Sequence, residues 1–382
     1  MACKVLLYSP GCFLSHYLSS RFRWVYCQLE MLRLCVRSRV RQLVNELPGT
    51  LDETYERVLK EIPRSNQDHV QRLLQCLAMA VRPLHVEELA QILAFDPDVI
   101  EEVAMLDADS PPEDQEQELL STCPGLIAVV DSLGSRVVQF SHFSVKEFLM
   151  SDRLSTSGED ISCYHILPDA AHTCLAQASL GVLLRLDDRV DRWKARNTLA
   201  AYAAEHWVSH VQVPNTSSHI MRMMETLFDF DRPQFAAWVR IHDMDKPRWY
   251  LDRETATPLY YAALCGFSNL VEHLIKKHPE HVNTFGGQHD YPLVAALYKG
   301  HTQVANFLLQ HGGNMNGRGT YRRTPLHHVI TQFNETVLGA VRFLLEHGAD
   351  ANSQQSDLRT PLHLAAAWGN DKVTQNILQT RG

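Results

Sequence analysis

From Thr257 onward the apolar positions alternate between two formats. Short dense runs (TPLYYAALCGF from Thr257, YPLVAALYKGH from Tyr291, RTPLHHVITQF from Arg323, RTPLHLAAAWGN from Arg359) are each followed by a stripe at helical spacing: LVEHLIKKH from 270, VANFLLQHG from 304, VRFLLEHGAD from 341 and VTQNILQ from 373. The prolines at 258, 292, 325 and 361 set a period of 33 to 36 residues, and a period of that size marks supersecondary units that stack on one another. A Thr hydroxyl can cap a helix, a Pro after it fits the first turn where no N–H is needed, and a Gly ends the helix. Thr257/Pro258/Gly266 and Thr360/Pro361/Gly369 therefore each enclose a two-turn helix. Ala262, Ala263, Ala295, Ala296, Ala365 and Ala366 keep these short helices slim enough for neighbouring units to approach closely, and Asn283, Asn316 and Asn352 recur at one fixed distance before the next Pro.

Upstream the pattern changes. In NELPGTLDETYERVLKEIP, residues 45 to 63, Thr50 and Glu53 form a capping-box pattern, and Leu51, Tyr55, Val58, Leu59 and Ile62 form one stripe closed by Pro63. DHVQRLLQCLAMAVRPLHVEELAQILAFD predicts a buried helix, a break at Arg82-Pro83-Leu84 and a helix from about His85 to Ala94. GLIAVVDSLGSRVVQFSH, residues 125 to 142, contains two β-rich runs joined at Ser132-Leu133-Gly134-Ser135, a hairpin signal. Helix, helix, hairpin is the order of a winged helix.

The repeats resemble ankyrin repeats, about four of them, over residues 250–382, with departures that locate the irregular unit. Repeat three, HHVITQFNETVLGAV, is longer than its neighbours and has Phe333 where the terminating Gly should stand, which predicts a lengthened helix or a bulged turn. Repeat one ends in KKHPEHVN with Pro279 in place of an HGAD-type turn, and TRG382 stops before repeat four completes its final turn, so the array is expected to extend further. LPGTLDETYERVL, RPLHVEELAQIL and VVQFSHFSVKEFLMS look like the region behind the nucleotide-binding module of fungal NACHT–ankyrin proteins, the STAND class of signalling NTPases. FRWVYCQLEMLRLC, 22 to 35, is similar to the helix closing that module, and LAAYAAEHWVSH, 199 to 210, to the helical spacer that follows. The winged-helix part also resembles the domain labelled after GPI inositol-deacylase. The resemblance implies a mainly α chain: leader 1–20, end of a NACHT module 21–63, winged-helix domain with a β-hairpin 64–154, helical spacer 155–249, and ankyrin solenoid 250–382. It also implies kinship with innate-immunity or heterokaryon-incompatibility-like receptors, in which winged helix and spacer transmit a signal between ankyrin sensing and NTPase oligomerisation.

The enzymatic part of such proteins needs GxxxxGK[ST] to cradle phosphates, and the 382 residues contain no Gly-Lys dipeptide. No enzyme activity, cofactor or nucleotide site is expected, unless the chain is a fragment of an NTPase whose P-loop lies outside it. GxSxG is also absent, so the deacylase label concerns fold only. LLRLDD (183–188) and LIAVVD (126–131) look like magnesium-binding strands but have no P-loop upstream. His206 and His210 sit at i and i+4, yet Trp207 stands where HExxH needs Glu; packing through Trp207 and Val211, with partly exposed imidazoles, is the expectation. No metal site is expected, and the resemblance gives His327 and His363 a structural role, hydrogen-bonding between repeats.

The nine cysteines form no CxxC pair, so free thiols in a reducing, cytoplasmic setting are expected. No apolar run is long enough to span a membrane, and Ser9, Pro10 and Gly11 break the apolar part of the leader. Residues 64–154 carry six basic (Arg64, Arg72, Arg82, Arg136, Lys146, Arg153) against sixteen acidic side chains, and the helix that would enter a groove, HVEELAQIL, presents Glu87 and Glu88. Phosphate neutralisation dominates nucleic-acid affinity, so no nucleic-acid partner is expected. What remains is a non-enzymatic interaction or scaffold protein whose ankyrin repeats bind a protein partner. Candidate contacts are Phe285, Asp290, Arg318, Tyr321, Arg323, Asp357 and Arg359 on hairpin tips and Tyr298, Lys299 and Trp368 on inner helices; aromatic and Arg side chains are the usual anchors.

Overall fold

The computed structural model describes residues 24–25, 48–95, 112–132, 134–186, 199–212, 217–245, 256–331 and 336–379. The leader, most of 21–47, and Phe333 with its turn lie outside these residues. Two compact units emerge: residues 1–179 with 209–215, and residues 180–208 with 216–382.

The first unit opens with helix Leu51–Lys60. Thr50 accepts from Glu53 N at 3.2 Å, while Glu53 Oε2 reaches back to Gly49 N at 2.8 Å, one residue further than the capping box expected. Its buried Tyr55 packs on Phe148 with ring centroids 5.5 Å apart and shares a 2.9 Å hydrogen bond with Ser144 Oγ. Helices Gln67–Met79 and Val86–Ala94 follow, then Pro112–Thr122 and Phe143–Leu149. The sheet has three antiparallel strands in the order β1 (Leu84–His85), β3 (Ser135–Phe140), β2 (Ile127–Ser132). The expected hairpin is present, with Ser132 opposite Ser135 and Gly134 at φ 82° in the turn. The two-residue strand β1, at the predicted break, and helix Pro112–Thr122 are additions.

Helix Val86–Ala94 differs from expectation at its N-terminus. Glu88 is not presented to solvent: it is 1% exposed, accepts from His85 N at 2.9 Å and is clasped by Arg82 at 2.6 and 2.8 Å. A buried carboxylate has to be paired, and the guanidinium six residues upstream supplies the pairing. Arg72 donates to the Ile92 and Phe95 carbonyls at 3.0 and 2.6 Å, and Lys146 to the Ala78 carbonyl at 2.5 Å, each satisfying main-chain acceptors at a helix end. Cys76 and Cys174 lie 3.9 Å apart, and the hydrogen bond from Cys76 together with nearby Arg72 holds the Cys174 thiol below its ordinary value. The described cysteines are free thiols. His210 is fully buried, with Nδ1 3.0 Å from His172 Nδ1, which corrects the expectation of a partly exposed ring.

In the second unit, Trp207, Phe228, Phe235 and Trp238 form an aromatic cluster against Tyr261 and Phe267 of the first repeat, with Trp207–Trp238 centroids 5.4 Å apart. Trp238 Nε1 donates to the Ala204 carbonyl at 3.0 Å. The repeats follow as helix pairs: Pro258–Cys265 and Ser268–Lys277, Pro292–Lys299 and Thr302–Gln310, Pro325–Ile330 and Val337–Glu346, Pro361–Ala367 and Asp371–Gln379. Gly266, at φ 78°, closes the first inner helix where a Cβ would come within 2.5 Å of His301. The third inner helix is shorter than the others, not lengthened: it stops at Ile330.

Candidate protein-binding face

Three successive loops end in tips closed by the same main-chain hydrogen bond. Gly286 N donates to Asp290 O at 2.9 Å, Gly319 N to Arg323 O at 2.9 Å and Gln355 N to Arg359 O at 3.0 Å. Each is stitched to its neighbour from below by the recurring asparagines. Asn283 donates to Gly312 O at 2.8 Å and accepts from Asn314 N at 2.7 Å, and Asn316 accepts from Asp350 N at 2.9 Å. His327 Nε2 bonds to Arg359 O at 3.2 Å, the expected link between repeats; His363, exposed, bonds among the described residues to its own Thr360 alone. The first tip is tied to the segment before the array, where Asp245 accepts from Tyr260 Oη at 2.9 Å and from Gln288 N at 2.6 Å.

Closing the tips through the backbone leaves some of the side chains at and beside them outside. Phe285 is 57% exposed, Tyr321 69% and Leu358 69%, one large apolar side chain per tip. Tyr321, Arg322 and Leu358 hold φ of 56°, 57° and 65°. Left-handed backbone costs a residue with a Cβ about 1–2 kcal/mol, and such conformations concentrate where the side chain they display has a use. Around this row stand Arg318, Arg322 and Arg359, all exposed. Arg323 is half-buried, bonded to Gln355 Oε1 at 3.0 Å and 5.6 Å from the Tyr321 ring centre. Exposed Asp357 accepts from Gln355 and Arg359 and is the one acid at the third tip. On the inner helices Lys299 and Trp368 are exposed, while Tyr298 is half-buried and stacked on His289 with centroids 4.0 Å apart.

Asp290 does not belong to this face. It is fully buried, its carboxylate accepting from Thr320 N at 2.7 Å, Thr320 Oγ1 at 2.6 Å and His328 Nε2 at 2.6 Å. Burial acts to raise its pKa, but the bonds from His328 and Thr320 outweigh that and hold the carboxyl below its ordinary 3.8. Asp290 is the pin between the first two tips; a Cβ at Gly319 would collide with its carboxylate. Leu358 and Arg322 are the exposed residues that the sequence reading missed. Both stand at the third position before a repeat proline, where His289 of the first tip is buried, so aligning the repeats gave no consistent signal.

The architecture is therefore a mainly helical chain with a winged helix followed by an ankyrin solenoid. The family profile for ankyrin repeats matches residues 238–319, 259–355 and 293–382, and that for the GPI inositol-deacylase winged helix domain matches residues 56–159. The chain is 30% identical over 295 residues to azaphilone pigments biosynthesis cluster protein L of Monascus ruber, an alignment covering 71% of this chain and 61% of that protein. It is also 33% identical over 69 residues to alpha-latrocrustotoxin-Lt1a of Latrodectus tredecimguttatus, which covers 18% of this chain and 5% of the toxin. The chain thus spans less than two thirds of the length of either relative.

Proposed function

We propose that this chain is a non-enzymatic interaction protein whose ankyrin tips bind a protein partner through an apolar row set among arginines. The observation that carries the reading is the display of Phe285, Tyr321 and Leu358 on successive tips, two of them on left-handed backbone. Large apolar side chains flanked by Arg have the composition of binding anchors. The arginines around the row, in a chain of formal net charge −8, favour a partner segment that pairs acidic with apolar residues. The same reading gives the winged helix an internal, transmitting role, since the six basic side chains of 64–154 all have acceptors within their own unit. That is poor equipment for phosphate binding. Kinship with STAND signalling receptors and a cytoplasmic setting complete the proposal; no helix among the described residues is long and apolar enough to cross a membrane.

The test is to purify binding proteins with the full chain as bait, then to measure affinity of each purified candidate for wild type and for Phe285→Ala/Tyr321→Ala/Leu358→Ala. The triple variant is expected to melt like wild type and to lose at least about tenfold in affinity, or 1.4 kcal/mol. Unchanged affinity for every candidate would remove the tips from the binding face.

A further inference from the structure

Repeat one departs from its pattern at Pro279, and the departure assembles three side chains. Helix Ser268–Lys277 ends at His278, and Pro279 opens a 3₁₀-helix, Pro279–Asn283. Residues three apart eclipse in such a turn, so the rings of His278 and His281 stack with centroids 5.2 Å apart and planes 21° from parallel. Glu280 turns toward both: its Oε1 lies 3.3 Å from His278 Nδ1 and 3.9 Å from His281 Nε2. One nitrogen of each ring and a carboxylate oxygen all fall within 4.8 Å of one another.

We propose that His278, Glu280 and His281 form a binding site for a divalent transition-metal ion of the zinc type. Two imidazoles and a carboxylate suit zinc with water in the fourth position, whereas calcium and magnesium favour all-oxygen shells. Zinc-to-ligand bonds of about 2.0–2.1 Å put neighbouring tetrahedral ligands about 3.3 Å apart. Two of the present separations, 3.3 and 3.9 Å, need only side-chain rotation to reach that. His278 Nε2 is buried without a partner among the described residues, so no competing hydrogen bond fixes that ring against such a rotation. The adjacent cations are turned elsewhere, Lys276 to Glu272 at 2.6 Å and Lys277 to Asp229 at 3.3 Å. Phe230 lies 4.7 Å from the His281 ring and shelters one side. A bound ion would lock the turn that leads through Asn283 into the first tip.

The experiment is calorimetric titration of the full chain with Zn²⁺, repeated with Co²⁺ and visible spectroscopy. A one-to-one component is expected that is lost in His278→Gln and in His281→Gln, weakened about tenfold in Glu280→Gln, and kept in His273→Gln and His311→Gln. Cobalt in this site gives ligand-field bands without thiolate charge transfer, which separates it from binding at the cysteines. Zinc should also raise the melting midpoint of wild type and leave the midpoints of the two His variants unmoved, a reading each variant gives against its own metal-free form. An isotherm unchanged by all three substitutions, or one abolished only by blocking thiols, overturns the site.

Discussion

The winged-helix region and the ankyrin tips both carry arginines, and they use them in opposite ways. In the first, Arg82 is clasped to buried Glu88, Arg72 closes a helix end, Arg136 meets Glu116 at 2.6 Å and Arg153 meets Asp52 at 2.8 Å. At the tips Arg318 and Arg322 have no side-chain partner among the described residues, and Tyr321 and Leu358 stand out beside them. Net charge thus does not tell which of a region's charges are free to meet a partner. What decides is whether each charge already has an acceptor inside the fold.

The largest way to break this contrast is Arg82→Ala. It strands Glu88, which is 1% exposed, and removal of one partner of a buried pair costs ~3–5 kcal/mol. Urea unfolding should show that loss, and the double change Arg82→Ala/Glu88→Gln should recover part of it. No recovery would mean that the pair is not the source.

The next test compares positions within the array. Leu326 is fully buried between repeats, so Leu326→Ala should cost ~2–5 kcal/mol. Leu362 occupies the same place in its own unit but is half-buried. Leu362→Ala should cost less than half as much in circular dichroism melts. Equal losses would show that neighbours do not set burial here.

A pH series is milder still. Burial lowers the His327 pKa below 6.5 in the folded array, chiefly by penalising the charged ring. The unfolded chain therefore takes up that proton first as pH falls, and stability present above 6.5 is lost between 6.5 and the folded value. The melting midpoint should drop between pH 7.5 and 5.5, and His327→Gln, whatever its starting stability, should flatten the slope. A slope unchanged by the substitution would assign the effect to other rings such as half-buried His301.

At the small end, Arg322→Ala and Tyr321→Ala should shift stability by no more than about 0.5 kcal/mol. A larger loss from either would mean that the tips, like the winged helix, hold the fold together.

These outcomes track what could be read from the chain. Helix limits in the repeats were legible because Thr257, Pro258 and Gly266 act on their own turn. The hairpin was legible because β2 and β3 are neighbours in sequence. Asp290 was not, since its burial depends on Thr320 and on His328, 38 residues away. Glu88 looked like a surface charge because nothing in HVEELAQIL reveals that Arg82 folds back over it. The three metal-type ligands in KKHPEHVN were in view, but their convergence needed the 3₁₀ geometry that Pro279 begins.

The tips have one more consequence, which concerns inheritance. Because Gly286–Asp290, Gly319–Arg323 and Gln355–Arg359 are closed by peptide groups, most substitutions at their crests leave the closing bond intact. The molecule already contains the result of such drift. Gln288, Tyr321 and Asp357 are the same site in three duplicated units, now an amide, an aromatic ring and an acid, while Pro292, Pro325 and Pro361 have stayed in place. A lineage carrying this array can change the surface it displays one crest at a time, without passing through an unfolded ancestor.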